Sequence, residues 1–175
     1  MPLQNKKSSF IAAASVMTVC ALALSYTETL IPLFLIPIPG FKLGLCNIVF
    51  VLGIFTTTRR QTLLAFTAKT VLVALLFGNM SSWIFSVAGG SFSIVALLIL
   101  HRFAADRFSY IGICQICAAM HNFGQMIAAC LLFKTYALLG YLPILLITSI
   151  VSGTITGLIC IGLARRFRHI VPLNR

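Results

Sequence analysis

Acidic residues are almost missing. Glu28 and Asp106 are the two acids in 175 residues, and charged side chains of both signs make up 9%. A soluble domain of this length needs a polar shell, and so few charges cannot supply one. No Gly-x-x-x-x-Gly-Lys-Ser/Thr loop occurs, so the chain does not hydrolyse ATP itself. No basic surface interleaved with aromatic residues occurs either, which argues against a single-stranded nucleic-acid binder.

Apolar sequence stands where charge is lacking. Hydrophobic residues make up 60% of the chain, and the mean hydropathy is +1.07. The runs fill nearly the whole length, which makes the lipid bilayer the solvent. A crossing helix takes roughly 20 apolar residues, with about 17 as the lower limit. Six spans fit, over approximately 10–30, 41–58, 61–77, 83–100, 109–133 and 142–163. They predict an all-α membrane protein with a single integral membrane domain over 1–175 and short loops. Lys6 and Lys7 before the first apolar run imitate a signal peptide. That run continues to Leu30 and five more follow, so it reads as a retained first helix.

The basic residues orient the bundle. With the N-terminus inside, the inner face holds Lys6, Lys7, Arg59, Arg60, Arg102, Arg107, Arg165, Arg166, Arg168 and Arg175. The outer face holds Lys42 and Lys134, and Lys69 lies within the third span. The bias recurs at each loop and predicts an N-in, C-in topology by the positive-inside rule.

Polar groups inside spans are costly and each needs a reason. A lysine at mid-membrane costs roughly 3 kcal/mol on insertion scales. Lys69 is therefore either half of a structural ion pair, with Glu28 as partner, or a ligand contact. Glu28 ends the first span, just before the apolar Ile31–Gly40 loop with its three prolines. His121 and Gln125 stand four residues apart and share a helix face, with Asn122 one position round. That patch is either interhelical glue or a substrate site. A histidine metal site is not expected, because no second ligand shares the face. Trp83 is a membrane-interface anchor or a stacking surface. Gly89-Gly90 lets a backbone or ligand come close.

The six cysteines lie inside or beside apolar runs, which does not resemble a secreted disulfide framework. Cys114-x-x-Cys117 has a redox or metal spacing, but no second pair completes a zinc site, and two small buried hydrophobes is the plainer reading. Gly153-x-x-x-Gly157 and Ala21-x-x-x-Ser25 allow close helix contact, within the bundle or with a partner.

Three segments carry a family resemblance. They are Pro39-Gly40-x-Lys42-Leu-Gly44-Leu45-Cys46-Asn47, Ser86-Val-Ala-Gly89-Gly90 and His121-Asn122-Phe-Gly124-Gln125. In this order and spacing they resemble the Gx transporter family, whose members are often labelled heptaprenyl diphosphate synthase component I. The family in turn looks related to the S components of energy-coupling factor (ECF) transporters of bacterial cytoplasmic membranes. The resemblance implies a six-helix ECF S-component-like bundle that binds a vitamin-like molecule. It implies a gate at the loop after span 1, contact of small span 1 residues with a coupling subunit, and ECF-type ATPase partners. Some relatives are associated with flavin supply, which makes a flavin the candidate substrate. Lys69 stands where relatives tend to have Arg, so the charge is kept without bidentate geometry.

The enzyme label fails a simple count. All-trans prenyl diphosphate synthases hold magnesium through Asp-rich motifs, and one Asp with one Glu cannot build one. The chain is expected to be no enzyme. In the binding reading Lys42 and Lys69 supply positive charge, and Asn47, His121, Asn122 and Gln125 supply hydrogen bonds. Trp83 and Phe85 stack on a planar ring beside Ser86, Gly89 and Gly90, while Glu28 orients a lysine or touches the ligand. The alternatives are a non-catalytic membrane subunit of prenyl or quinone synthesis and a stand-alone secondary carrier.

Overall fold

The computed structural model describes residues 2–30, 44–77, 80–103 and 107–167. Among them are six α-helices and no strand: α1 Pro2–Leu30, α2 Asn47–Thr56, α3 Arg59–Phe77, α4 Met80–Phe103, α5 Tyr110–Phe133 and α6 Leu142–Phe167. The all-helical expectation is met. Residues 137–141, expected as loop, wind into a short 3-10 helix, Ala137–Tyr141, ahead of α6.

Four segments are long and apolar enough to cross a membrane, judged by length and composition: Ser8–Glu28, Met80–Phe103, Tyr110–Phe133 and Ala137–Arg166. They match the expected first, fourth, fifth and sixth spans. The second departs from expectation. α2 has 10 residues, a rise of roughly 15 Å at about 1.5 Å per residue. That is about half of a ~30 Å hydrocarbon core. The reason lies at Gly44, whose φ of +80° turns the chain away from a right-handed helix just before α2. α3 has 19 residues but carries Arg59, Arg60 and Lys69.

α2 is central. It touches each of the other five α-helices and buries Asn47, Ile48, Phe50, Val51, Gly53, Ile54 and Phe55 among its ten residues. A helix apolar on all sides needs protein or lipid around it, and here protein encloses it. Phe55 lies edge-on to His101 and Tyr110, each with ring centroids 5.3 Å away, which ties α2 to the end of α4 and the start of α5. Phe50 meets Phe66 of α3 in the same manner at 5.7 Å.

α5 packs most extensively, against α4 on one side and α6 on the other. Ser109 caps its start by accepting from the Gly112 N–H at 3.2 Å. Lys134 stops it in the left-handed conformation, with its N–H on the Cys130 carbonyl. The α5–α6 seam depends on the Gly153-x-x-x-Gly157 pair. A Cβ at Gly153 would lie 2.5 Å from Gln115 Cα, and one at Gly157 would lie 2.6 Å from Ile111 Cα. These glycines serve internal packing. Ala21 and Ser25 of α1 are likewise fully buried. That pair faces into the bundle and is not available to an outside coupling subunit.

Candidate functional site

The site is built where α2 starts. The Glu28 side chain, buried in the last turns of α1, accepts the backbone N–H of Leu45 through Oε1. A carboxylate there satisfies a donor left open ahead of the helix and favours the positive end of the α2 dipole. It also ties together the two ends of the 31–43 connection. Gly44 precedes this contact. A Cβ on it would lie 2.8 Å from Asn47 Nδ2 and 3.2 Å from His121 Cδ2.

His121 is reached from a second side by α4. A Cβ on Gly89 would lie 2.9 Å from His121 Cε1, 2.9 Å from its carbonyl oxygen and 2.8 Å from Gln125 Cγ. The imidazole thus touches the backbone of both Gly44 and Gly89, which explains why glycine is needed at each. The Gln125 amide nitrogen lies 2.9 Å from His121 Nε2. With the amide donating, Nε2 accepts and the neutral ring carries its proton on Nδ1. The shared face read from the four-residue spacing is therefore present.

Lys69 comes from α3. It is 2% exposed, and its Nζ donates to Ser86 Oγ of α4 at 2.9 Å. The ion pair with Glu28 expected as one alternative is not what holds it: its hydrogen-bond acceptor among the described residues is this neutral hydroxyl. An ammonium has three donors, and a buried charge is stable only with compensating partners. Ser86, Gly89 and Gly90 are spaced by three and four residues, so they line one face of α4. Gly90 receives a protein ring, since a Cβ there would lie 2.5 Å from Phe66 Cε2.

Several expected site residues point elsewhere. Asn122 faces α6, where its Nδ2 donates to the Leu145 carbonyl at 3.1 Å and to Ser149 Oγ at 2.8 Å. It is a joint between helices. Trp83 and Phe85 do not form one stacking surface. Residues two apart on a helix differ by about 200° in direction. Phe85 accordingly sits in a closed core with Met126, Ala129 and Leu145, while Trp83 lines a groove between α4 and α5. Asn47 is buried beside Gly44, and its Nδ2 has no partner among the described residues. Lys42 and the proline loop lie outside the described residues. Cys114 and Cys117 are buried free thiols, and Cys114 Sγ lies 3.8 Å from Cys160 Sγ. Among the described residues no group of three or more metal-ligating side chains exists.

Two residues that matter were not expected as site residues. Gly44 stands in the first of the three family segments, and its position just ahead of an apolar helix was a usable signal. Ser149, the α6 partner of Asn122, had none, because an inward serine on an apolar helix looks like an outward one.

The comparisons with known proteins bear on the whole fold. A family model described as heptaprenyl diphosphate synthase component I matches residues 17–163. That stretch includes Glu28, Gly44, Lys69, Ser86, Gly89, His121 and Gln125. No curated protein and no solved structure matches the chain. The match covers the residues from the middle of α1 to near the end of α6, and the chain belongs to the heptaprenyl diphosphate synthase component I family.

Proposed function

We propose that this protein is a membrane-embedded binding component for a small anionic molecule, with a flavin as the favoured candidate. The observation that carries the reading is Lys69. An ammonium enclosed between α3 and α4, with a single hydroxyl as acceptor among the described residues, favours a ligand that brings negative charge. A phosphate or an ionised ring supplies it. Asn47 Nδ2 adds a buried donor without a partner among the described residues. The His121–Gln125 pair lies against the same face of α4 as Ser86. Ligand entry then requires α2 to move from α5, because Gly44 and Gly89 leave no space around the imidazole. Glu28 is the latch in this reading, since its bond to Leu45 holds the start of α2 in place.

In the same reading the chain lies in a bacterial cytoplasmic membrane with both ends inside. It moves its cargo together with an ECF-type coupling subunit and ATPases. Positive-inside bias and the lack of any ATP-binding loop support this. The test is a fluorescence titration of the purified chain with FMN and riboflavin, beside Lys69→Met. Tight FMN binding lost in the variant supports the proposal, and equal weak binding by both sinks it.

The family description favours a second reading, a non-catalytic membrane subunit working beside a prenyl diphosphate synthase. Copurification with a soluble synthase, and altered synthase activity on removing this chain, would favour it.

A further inference from the structure

Two basic side chains meet where α3 begins and α4 ends. Arg59 is the first residue of α3, and His101 stands in the last turn of α4. Arg59 Nη2 lies 3.3 Å from His101 Nδ1. A guanidinium only donates, so Nδ1 is the acceptor and the neutral ring carries its proton on Nε2. The contact therefore exists in one protonation state. Proton uptake at Nδ1 turns the acceptor into a donor and sets two cations side by side.

No described neighbour compensates that second charge. α3 presents Arg59 and, next to it, Arg60. α2 presents the apolar Phe55, and beyond that ring α5 presents Tyr110. α4 itself adds Arg102, and Arg107 stands in the turn ahead of α5. Glu28 is the one acid among the described residues, and it is engaged with Leu45 at the other end of α2. Asp106 lies outside the described residues.

The imidazole also carries packing. Phe55 is buried, and its ring centroid lies 5.3 Å from that of His101. α2, α3 and α4 are thus joined at one side chain. The α3–α4 seam runs on from here to Phe66 in the notch at Gly90, and then to Lys69 on Ser86. The numbering rises along α3 as it falls along α4, so the two helices are antiparallel. Arg59 and His101 close one end of the seam that encloses Lys69. From His101 to Ser86 is roughly 22 Å along α4, at about 1.5 Å per residue.

We infer that the Arg59–His101 contact is a proton-operated clasp, closed while His101 is neutral and opened by its protonation. Histidine is the side chain whose ordinary titration falls near neutral pH. The clasp is made above that titration and lost as the pH falls through it. Release frees this end of α3 from α4, while the Lys69–Ser86 bond further along stays in place. The clasp works in this way whatever molecule Lys69 binds.

The test is 15N NMR of the histidines in full-length protein in detergent, with amide hydrogen exchange read by mass spectrometry on the same samples. The chain has three histidines, and His121→Gln and His169→Gln assign the other two signals. Measurements at about pH 8 and about pH 5 bracket the ordinary imidazole value of about 6.5. At the higher pH His101 should show an unprotonated Nδ1. At the lower pH it should be doubly protonated. Amides of residues 62–66 and 97–103 should then exchange several-fold faster, after correction for the intrinsic effect of pH. His101→Gln keeps an acceptor for Arg59 but cannot titrate, so its exchange should be equally slow at both. A neutral ring with its proton on Nδ1 would overturn the inference. So would a ring still neutral at the lower pH, or a protonated ring without faster exchange, and these readings come from wild-type His101. The same acid loosening in His101→Gln would also overturn it and assign the effect to another group.

Discussion

Lys69 Nζ donates to Ser86 Oγ across 2.9 Å, joining α3 to α4 through a charge that is 98% buried, since the residue is 2% exposed. A bundle that only anchored something would be more stable without it. Replacing a charged residue by an apolar one at mid-membrane removes an insertion cost of roughly 3 kcal/mol. Lys69→Met should therefore raise, or at least preserve, the detergent unfolding temperature. It should also weaken FMN binding by about 30-fold or more, the ~2 kcal/mol lower end for losing one partner of a buried charged pair. Paired thermal and fluorescence titrations read both quantities. Lys69→Arg should recover part of the binding.

The glycines around His121 can be tested against a built-in control. Gly89→Ala places a methyl 2.9 Å from the His121 carbonyl oxygen, a backbone atom that cannot swing away. Overpacking of this kind costs about 1–3 kcal/mol. Gly44→Ala adds the strain of a φ of +80°. Gly140→Ala meets nothing within 4 Å and should leave the unfolding midpoint unchanged. A chemical-denaturant series on the three variants checks the order.

Gly157 and Gly162 offer the same comparison inside one helix. Gly157→Ala pushes a methyl against the Ile111 backbone at 2.6 Å, whereas a Cβ at Gly162 meets nothing within 4 Å. The first should destabilise the α5–α6 seam. The second should be neutral or stabilising by up to ~1 kcal/mol, because alanine is the better helix former. Unfolding of both in one detergent decides it.

Asn122→Leu removes two hydrogen bonds to α6, to Leu145 and Ser149. Interhelical bonds of this kind average about 0.6 kcal/mol and reach ~1.7 kcal/mol. The variant should lose stability on that scale while FMN affinity stays within about twofold, roughly 0.4 kcal/mol at 1.4 kcal/mol per tenfold. A large loss of affinity with unchanged stability would place Asn122 in the binding site after all.

The sequence was informative where a rule of spacing applied. Long apolar runs marked α4, α5 and α6 and the end of α1 to within a few residues, because the cost of unpaired backbone in lipid leaves helices as the available form, whereas α1 starts at Pro2, eight residues ahead of its apolar run. The His121–Gln125 pair followed from four-residue spacing. The same rule, applied to Trp83 and Phe85, would have separated them. α2 was misjudged in length because an apolar run does not reveal whether lipid or protein encloses it. Only Gly44 marked its true start. Glu28 was visible as an oddity, but its partner is the Leu45 backbone, and backbone donors leave no trace in side-chain patterns. The direction of Asn122 toward α6 depends on how helices pack, which a single sequence does not encode locally.

The most direct test of the binding account is denaturing mass spectrometry of the small molecules released by the purified wild-type chain and by Lys69→Met. The account predicts an anionic, ring-bearing molecule in near-stoichiometric amount from the wild type and its absence from the variant. The same molecule in equal amount from both, or none from either together with no FMN binding, would contradict it.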